Sequence, residues 1–219
     1  MTSRRPAVFV DRDNTLIPDP GYLRDPQQVR LLPGTADAIR RLRNAGWPVI
    51  VITNQSGVAR GLLTENDVAA IHERMNELLQ AEGARVDAIY YCPFLDSAEA
   101  ICADYRKDSD LRKPKPGMLL LAAREHGLDL ARSWMIGDGE RDVQAGKSAG
   151  CQTILLSNQK PALSVADHVA ADLPAAADLI LQTDRSSPVS TVSTSAPGQS
   201  ADPHQPRSRH SPSGDSEPA

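Results

Sequence analysis

The sequence predicts an α/β fold: a central parallel sheet with helices on both faces, followed by a disordered C-terminal tail. Three observations predict it. Short, often β-branched apolar runs recur along the chain, amphipathic stretches separate them, and the composition changes abruptly after Gln182. The 219 residues suit one catalytic domain with length left over, and 40% apolar residues suffice for a core. Aromatic residues make up only 4%, which argues against a stacking platform for nucleic acid. A formal net charge of −4 likewise argues against a polyanion-binding surface, so an anionic substrate has to be attracted locally.

Taken in order, residues 7–10, 49–52, 89–91, 134–136 and 153–156 are short apolar runs bounded by polar or turn residues, and read as buried strands. Helices are expected over 35–45, 64–82, 117–126 and 142–149. The second is the best marked. Thr64 and Asp67 have capping-box spacing, with aspartate in place of the usual Glu or Gln. Val68, Ile71, Met75, Leu78 and Leu79 then share one face, and Gly83 suits the C-cap. The other three helices are followed by Gly46, Gly127 and Gly150. Strand–helix–strand alternation implies parallel pairing. This domain is expected over 1–182. Residues 183–219 hold ten Ser, three Thr and six Pro with no aromatic, Leu or Ile, too little apolar surface to offset chain entropy, hence the disordered tail.

Cys92, Cys102 and Cys151 form an odd, sparse set that reads as reduced thiols. The apolar run near the N-terminus is too short for a secretory signal, and no stretch approaches a membrane span, so a cytoplasmic protein is expected.

In sheets of this kind ligands bind beyond the carboxyl ends of the strands. Residues 7–10 lead into Asp11-Arg12-Asp13-Asn14-Thr15, and 49–52 into Thr53-Asn54-Gln55-Ser56-Gly57. Residues 134–136 lead into Gly137-Asp138, with Asp142 four residues on, and Arg112-Lys113-Pro114-Lys115-Pro116 precedes the helix at 117. Carboxylates gathered at one edge repel each other unless a cation lies between them. A hard divalent cation such as Mg²⁺ takes one or two carboxylates with water and substrate phosphate. One carboxylate can then attack phosphorus while another protonates the departing oxygen, two roles that need different environments. Asn14 tolerates the left-handed conformation such a turn requires. Asp142 is expected either to support the site or to stabilise its helix dipole. None of the five histidines falls in a motif, so a histidine nucleophile is not expected.

Across residues 7–157 these four motifs, in this order, resemble the haloacid dehalogenase (HAD) superfamily of phosphatases, whose fold is a Rossmann-like three-layer sandwich. The resemblance implies that Asp11 is the nucleophile of an aspartyl-phosphate, with Asp13 first the general acid and then the base. It implies that Thr53 and Lys113 hold the phosphoryl oxygens, and that Asp11, Asp138 and the Asp13 backbone carbonyl hold Mg²⁺. The segments around Tyr22, Thr53, Tyr90 and Arg112 are similar to D-glycero-D-manno-heptose-1,7-bisphosphate 7-phosphatases, and related histidinol-phosphate phosphatases share much of the pattern.

That similarity implies a small phosphorylated sugar as partner, met by Asp19, Tyr22, Asn54, Gln55, Arg60 and Arg112. A bisphosphate needs a second cationic end, for which Arg60 and Arg112 are the candidates. Histidinol phosphate would instead need carboxylates, such as Asp19 and the acids between Asp96 and Asp110. Both substrates stay open, as does another small sugar phosphate. Close relatives commonly carry a zinc loop, Cys-x-His followed by Cys-x-Cys. Here Cys92 remains, but Phe94, Ser109 and Leu111 occupy the other positions, so structural Zn²⁺ is not expected. Only about twenty residues separate Thr15 from Thr35, and Cys92 from Lys113. No large cap domain fits, and loops are expected to cover the site of a monomer that binds neither nucleic acid nor membrane.

Overall fold

The structure, a computed structural model, describes residues 4–159 and 161–186. The apolar runs form a six-stranded, wholly parallel sheet: β1 (Val8–Val10), β2 (Val49–Asn54), β3 (Ala88–Cys92), β4 (Trp134–Gly137), β5 (Gln152–Leu156) and β6 (His168–Ala170). Its order is β3-β2-β1-β4-β5-β6. The helices are α1 (Thr35–Asn44), α2 (Glu65–Ala81), α3 (Gly117–His126), α4 (Glu140–Ala149) and α5 (Leu173–Ser186). Alternate strand residues point to opposite faces. Val8, Val10, Val49, Val51, Ile136 and Ile154 join residues of α1, α2 and α5 in one core. Phe9, Ile50, Ile52 and Met135 join α3 and α4 in the other. Burial on both faces explains why the strands read as continuous apolar runs.

The capping box of α2 forms as its spacing suggests. Thr64 Oγ1 accepts the Asp67 N–H at 3.1 Å, and Asp67 Oδ2 accepts the Thr64 N–H at 2.7 Å. Gly127 and Gly150 end α3 and α4 in the left-handed conformation. Strand β6 and helix α5 were not expected from the sequence. The strand is a three-residue edge segment, and the signal for the helix, an Asp172 N-cap whose Oδ1 accepts the Ala175 N–H at 2.9 Å with Pro174 in the first turn, was passed over. Helix α5 continues to Ser186, past the composition break at Gln182. Ala176, Ala177 and Ile180 anchor it in the core, and the Thr183 hydroxyl donates to the Leu179 carbonyl at 2.9 Å. The rest of the expected tail, 187–219, lies outside the described residues.

From β1 the chain builds outward to β3, then returns to the other side of β1 for β4. That reversal opens a crevice beyond β1 and β4, where ligands of such sheets bind. The two inserts that flank it contain short 3-10 turns, Pro26–Gln28 and Ala103–Tyr105, and no cap domain. Among the described residues no helix is long and apolar enough to cross a membrane.

Candidate active site

Strand register brings the acids together. Val10 lies beside Ile136, and the Asp11 N–H donates to the Ile136 carbonyl at 2.9 Å. Asp11 and Asp138 therefore leave neighbouring strands at the crevice. Lys113 arrives from a distant part of the chain and is aimed by Asn54. The Asn54 amide donates to the Lys113 carbonyl and accepts the Lys113 N–H, both at 3.0 Å. The Lys113 ammonium then donates to Asp11 Oδ1 at 2.6 Å and to the Ile52 carbonyl at 2.7 Å, and lies 2.6 Å from Asp142 Oδ1. The ammonium thus makes two hydrogen bonds and two ion pairs, in a side chain with no exposed surface. Burial alone would lower the lysine pKa, but Asp11 and Asp142 outweigh it and hold the group charged.

Asp142 fulfils both roles that its position suggests. Its Oδ1 pairs with Lys113, while Oδ2 accepts the Gly139 N–H at 3.1 Å and caps α4. Gly137 makes this possible, because a Cβ there would lie 2.4 Å from the Asp142 Cβ and Cγ. Burial raises the Asp142 carboxyl to about 6, with Lys113 pulling it down and Asp11 pushing it up.

Asp138 is the third acid of the cluster. Its Oδ1 is buried without a hydrogen-bond partner among the described residues. Burial first, and the Asp11 charge second, push its carboxyl above the usual range. One oxygen each from Asp11, Asp138 and Asp142 lies within 4.8 Å of the others. Three carboxylates against one ammonium leave a negative, all-oxygen site, which fits Mg²⁺. Asp142 Oδ2 caps α4 and its Oδ1 is ion-paired with Lys113 at 2.6 Å, so Asp11 and Asp138 are the side chains best able to hold the cation. The Asp13 carboxylate lies outside this cluster, which leaves its backbone carbonyl as the group that could contribute.

Asp13 faces different partners. Arg12 donates to it through Nε (2.9 Å to Oδ1) and Nη2 (3.1 Å to Oδ2), and Gln55 Nε2 donates to Oδ2 at 2.9 Å. Burial raises the Asp13 carboxyl, Arg12 lowers it and Asp11 raises it, with a net upward shift. That direction suits an acid that must carry a proton. Gln55 Nε2 also donates to Thr53 Oγ1 at 2.9 Å, so the Thr53 hydroxyl keeps its own hydrogen free to donate. Asn54 and Gln55, expected to meet substrate, thus spend their amides on the protein itself. Asn14 takes the expected left-handed conformation, φ 55°.

The expected substrate residues gather at the rim. Asp19 accepts the Gly21 N–H at 3.0 Å, and its own N–H donates to Asn14 Oδ1 at 3.1 Å. Tyr22, itself left-handed, has its ring 5.8 Å from the Arg60 guanidinium carbon. Arg60 also pairs with Glu99. Arg112 donates to the Phe94 carbonyl at 3.2 Å. Burial holds Arg112 below its usual pKa, and the positive Arg141 and Arg60 push it the same way. Sequence reasoning missed Arg141, whose signal was its place in the first turn of α4, three residues after Asp138. It also missed His72, a polar residue on the buried face of α2. The Phe94 ring meets Tyr105 at 6.0 Å and Lys107 Nζ at 4.0 Å.

Residues 8–150 match the haloacid dehalogenase-like hydrolase family. The chain is 43% identical over 187 residues to a D-glycero-D-manno-heptose-1,7-bisphosphate 7-phosphatase of Thermosynechococcus vestitus, covering 80% of this chain and 95% of that protein. It is 38% identical over 184 residues to the D-glycero-beta-D-manno-heptose-1,7-bisphosphate 7-phosphatase of Escherichia coli K12, covering 80% and 95%. It superimposes with a TM-score of 0.67 on the D,D-heptose 1,7-bisphosphate phosphatase of B. bronchiseptica, crystallised with magnesium and phosphate, at 36% identity, covering 81% of this chain and 99% of that one.

Proposed function

The chain belongs to the haloacid dehalogenase-like hydrolase family, and from that premise we propose a magnesium-dependent phosphatase that removes the C7 phosphate of D-glycero-D-manno-heptose 1,7-bisphosphate. The observation that carries this reading is the buried Lys113 held between Asp11 and Asp142, beside the unpartnered oxygen of Asp138.

An Asp11 carboxylate oxygen bonds to phosphorus as the ester P–O bond breaks, and Asp13 gives its proton to the departing sugar oxygen. Asp13, now a carboxylate, takes a proton from water, whose oxygen bonds to phosphorus. The acyl-phosphate P–O bond breaks, and Asp11 and inorganic phosphate are released. Lys113 and the Thr53 hydroxyl stabilise charge on the phosphoryl oxygens throughout. Asp11, Asp138 and the Asp13 carbonyl would hold Mg²⁺, which supplies charge neutralisation to the transferring group.

The second phosphate is assigned to Arg112, with Arg60 and Arg141 contributing positive charge around it. The acids that a cationic substrate would use support this choice, because several already have partners. Glu99 pairs with Arg60, and Asp108 and Asp110 with Lys115. A cytoplasmic monomer fits the same reading. Cys92, Cys102 and Cys151 are unpaired thiols, as a reducing compartment would keep them. Comparing kcat/KM on the heptose bisphosphate and on histidinol phosphate tests the substrate. A preference of about 10- to 100-fold for the bisphosphate is expected from charge-assisted contacts, and equal, low values on both would contradict it.

A further inference from the structure

Behind Asp13 lies a second layer that the proposed chemistry does not use. Arg12 sits between two catalytic-loop aspartates yet is buried, at 2% exposure. Two of its nitrogens hold Asp13, and the third, Nη1, points the other way and lies 3.1 Å from His72 Nε2. A guanidinium has only donors, so His72 Nε2 must be the acceptor and the imidazole proton sits on Nδ1. His72 is itself buried on α2, and its ring packs edge-on against Tyr91 of β3, with centroids 5.8 Å apart. A continuous link thus runs from α2 through Arg12 to the carboxyl of Asp13, and on through Gln55 to Thr53. Without the histidine acceptor, a buried guanidinium N–H would lose its partner, and Arg12 would turn toward another one.

We propose that His72 is a positioning residue for the general acid, fixing Arg12 and through it the direction in which Asp13 presents its carboxyl. The role rests on the reading of Asp13 as the group that protonates the leaving oxygen. Only esters with a poor leaving group need that proton. An alkyl phosphate such as a sugar phosphate requires it, whereas p-nitrophenyl phosphate departs as a stable anion. The ratio kcat/KM reports steps up to the departure of the leaving group, so it isolates this half of the reaction.

The test is His72→Leu, which keeps an apolar side chain and removes the acceptor, beside His72→Gln, whose amide oxygen can still accept. In His72→Leu, kcat/KM is expected to fall about 10- to 100-fold on the alkyl ester and less than about threefold on p-nitrophenyl phosphate. His72→Gln is expected to bring the alkyl ester back to within about threefold of wild type. His72→Phe, which keeps a ring against Tyr91 and removes the acceptor, carries the same expectation and decides the matter should His72→Leu not fold. Equal losses on both esters, or no loss on either in a folded variant, would overturn the role of His72. Asp13→Asn run in parallel separates the two levels. A loss there that ignores the leaving group sinks the reading of Asp13 itself. A leaving-group-dependent loss there, without one in His72→Leu, sinks only the positioning role.

Discussion

Two regions meet at the carboxyl end of the sheet and are built on opposite terms. At the strand ends, Lys113 and Asp142 are buried and Asp13 is largely so, and each of these three is tied to the protein by two or three contacts. In the rim between β3 and α3, the charges are exposed or, for Arg112, half-buried, and are held by single hydrogen bonds, surface ion pairs and ring contacts. On the proposed function, the difference follows from what each region must do. Bond making demands fixed geometry in a dry setting. Holding the far end of a substrate tolerates looser contacts, and loops carry them.

The sharpest way to break this contrast is to remove a cation from each region. Lys113→Ala strands Asp11 and Asp142 as unpaired buried carboxylates and is expected to cost about 3–5 kcal/mol in urea unfolding. Activity should fall at least about 10²- to 10³-fold with the loss of a charge-stabilising donor. A stability like that of wild type would show that the buried network is not what holds this edge. Arg112→Ala, at the rim, should leave the fold intact and raise KM for the bisphosphate about 10- to 100-fold. Turnover of a monophosphate should be untouched, and equal loss on both would move Arg112 into the chemistry.

Acid probes the layer beneath the strand ends. Burial, and then the Arg12 charge, push the His72 pKa from 6.5 down to about 3. Between those values the unfolded chain takes up a proton that the folded chain refuses. This contribution to stability is therefore complete above pH 6.5 and is lost as pH falls toward 3. The wild-type melting temperature should drop more steeply across that window than that of His72→Gln, and parallel curves would contradict the burial of a neutral imidazole. The smallest effect is expected from Lys107→Ala. Losing its contact with Phe94 should cost about 0.5–1 kcal/mol, and a larger loss would mean that the rim is more rigid than its contacts suggest.

The contrast also decides what could be read from the sequence. The residues proposed for the chemistry were legible because they stand in short linear motifs: Asp11, Asp13, Thr53, Lys113 and Asp138 all follow or precede recognisable elements. Partnering was not legible. Nothing local says that Asn54 aims Lys113 from 59 residues away, or that His72 reaches Arg12 across 60. Strand β6 escaped because three edge residues, one of them histidine, give no periodic signal. Arg141 escaped because its relation to Arg112 exists only once α3 and α4 pack beside each other.

The central claim is that the carboxylate of Asp11 carries the phosphoryl group, and trapping that species tests it most directly. Enzyme with Mg²⁺ and substrate is quenched during turnover and treated with borohydride, which reduces an acyl phosphate to an alcohol. The peptide containing residue 11 is then read by mass spectrometry. The expected result is homoserine at position 11, absent from the sample without substrate and from Asp11→Asn, which should also lose at least about 10⁴-fold in turnover. An unmodified Asp11 during rapid phosphate release, or wild-type turnover by Asp11→Asn, would contradict it.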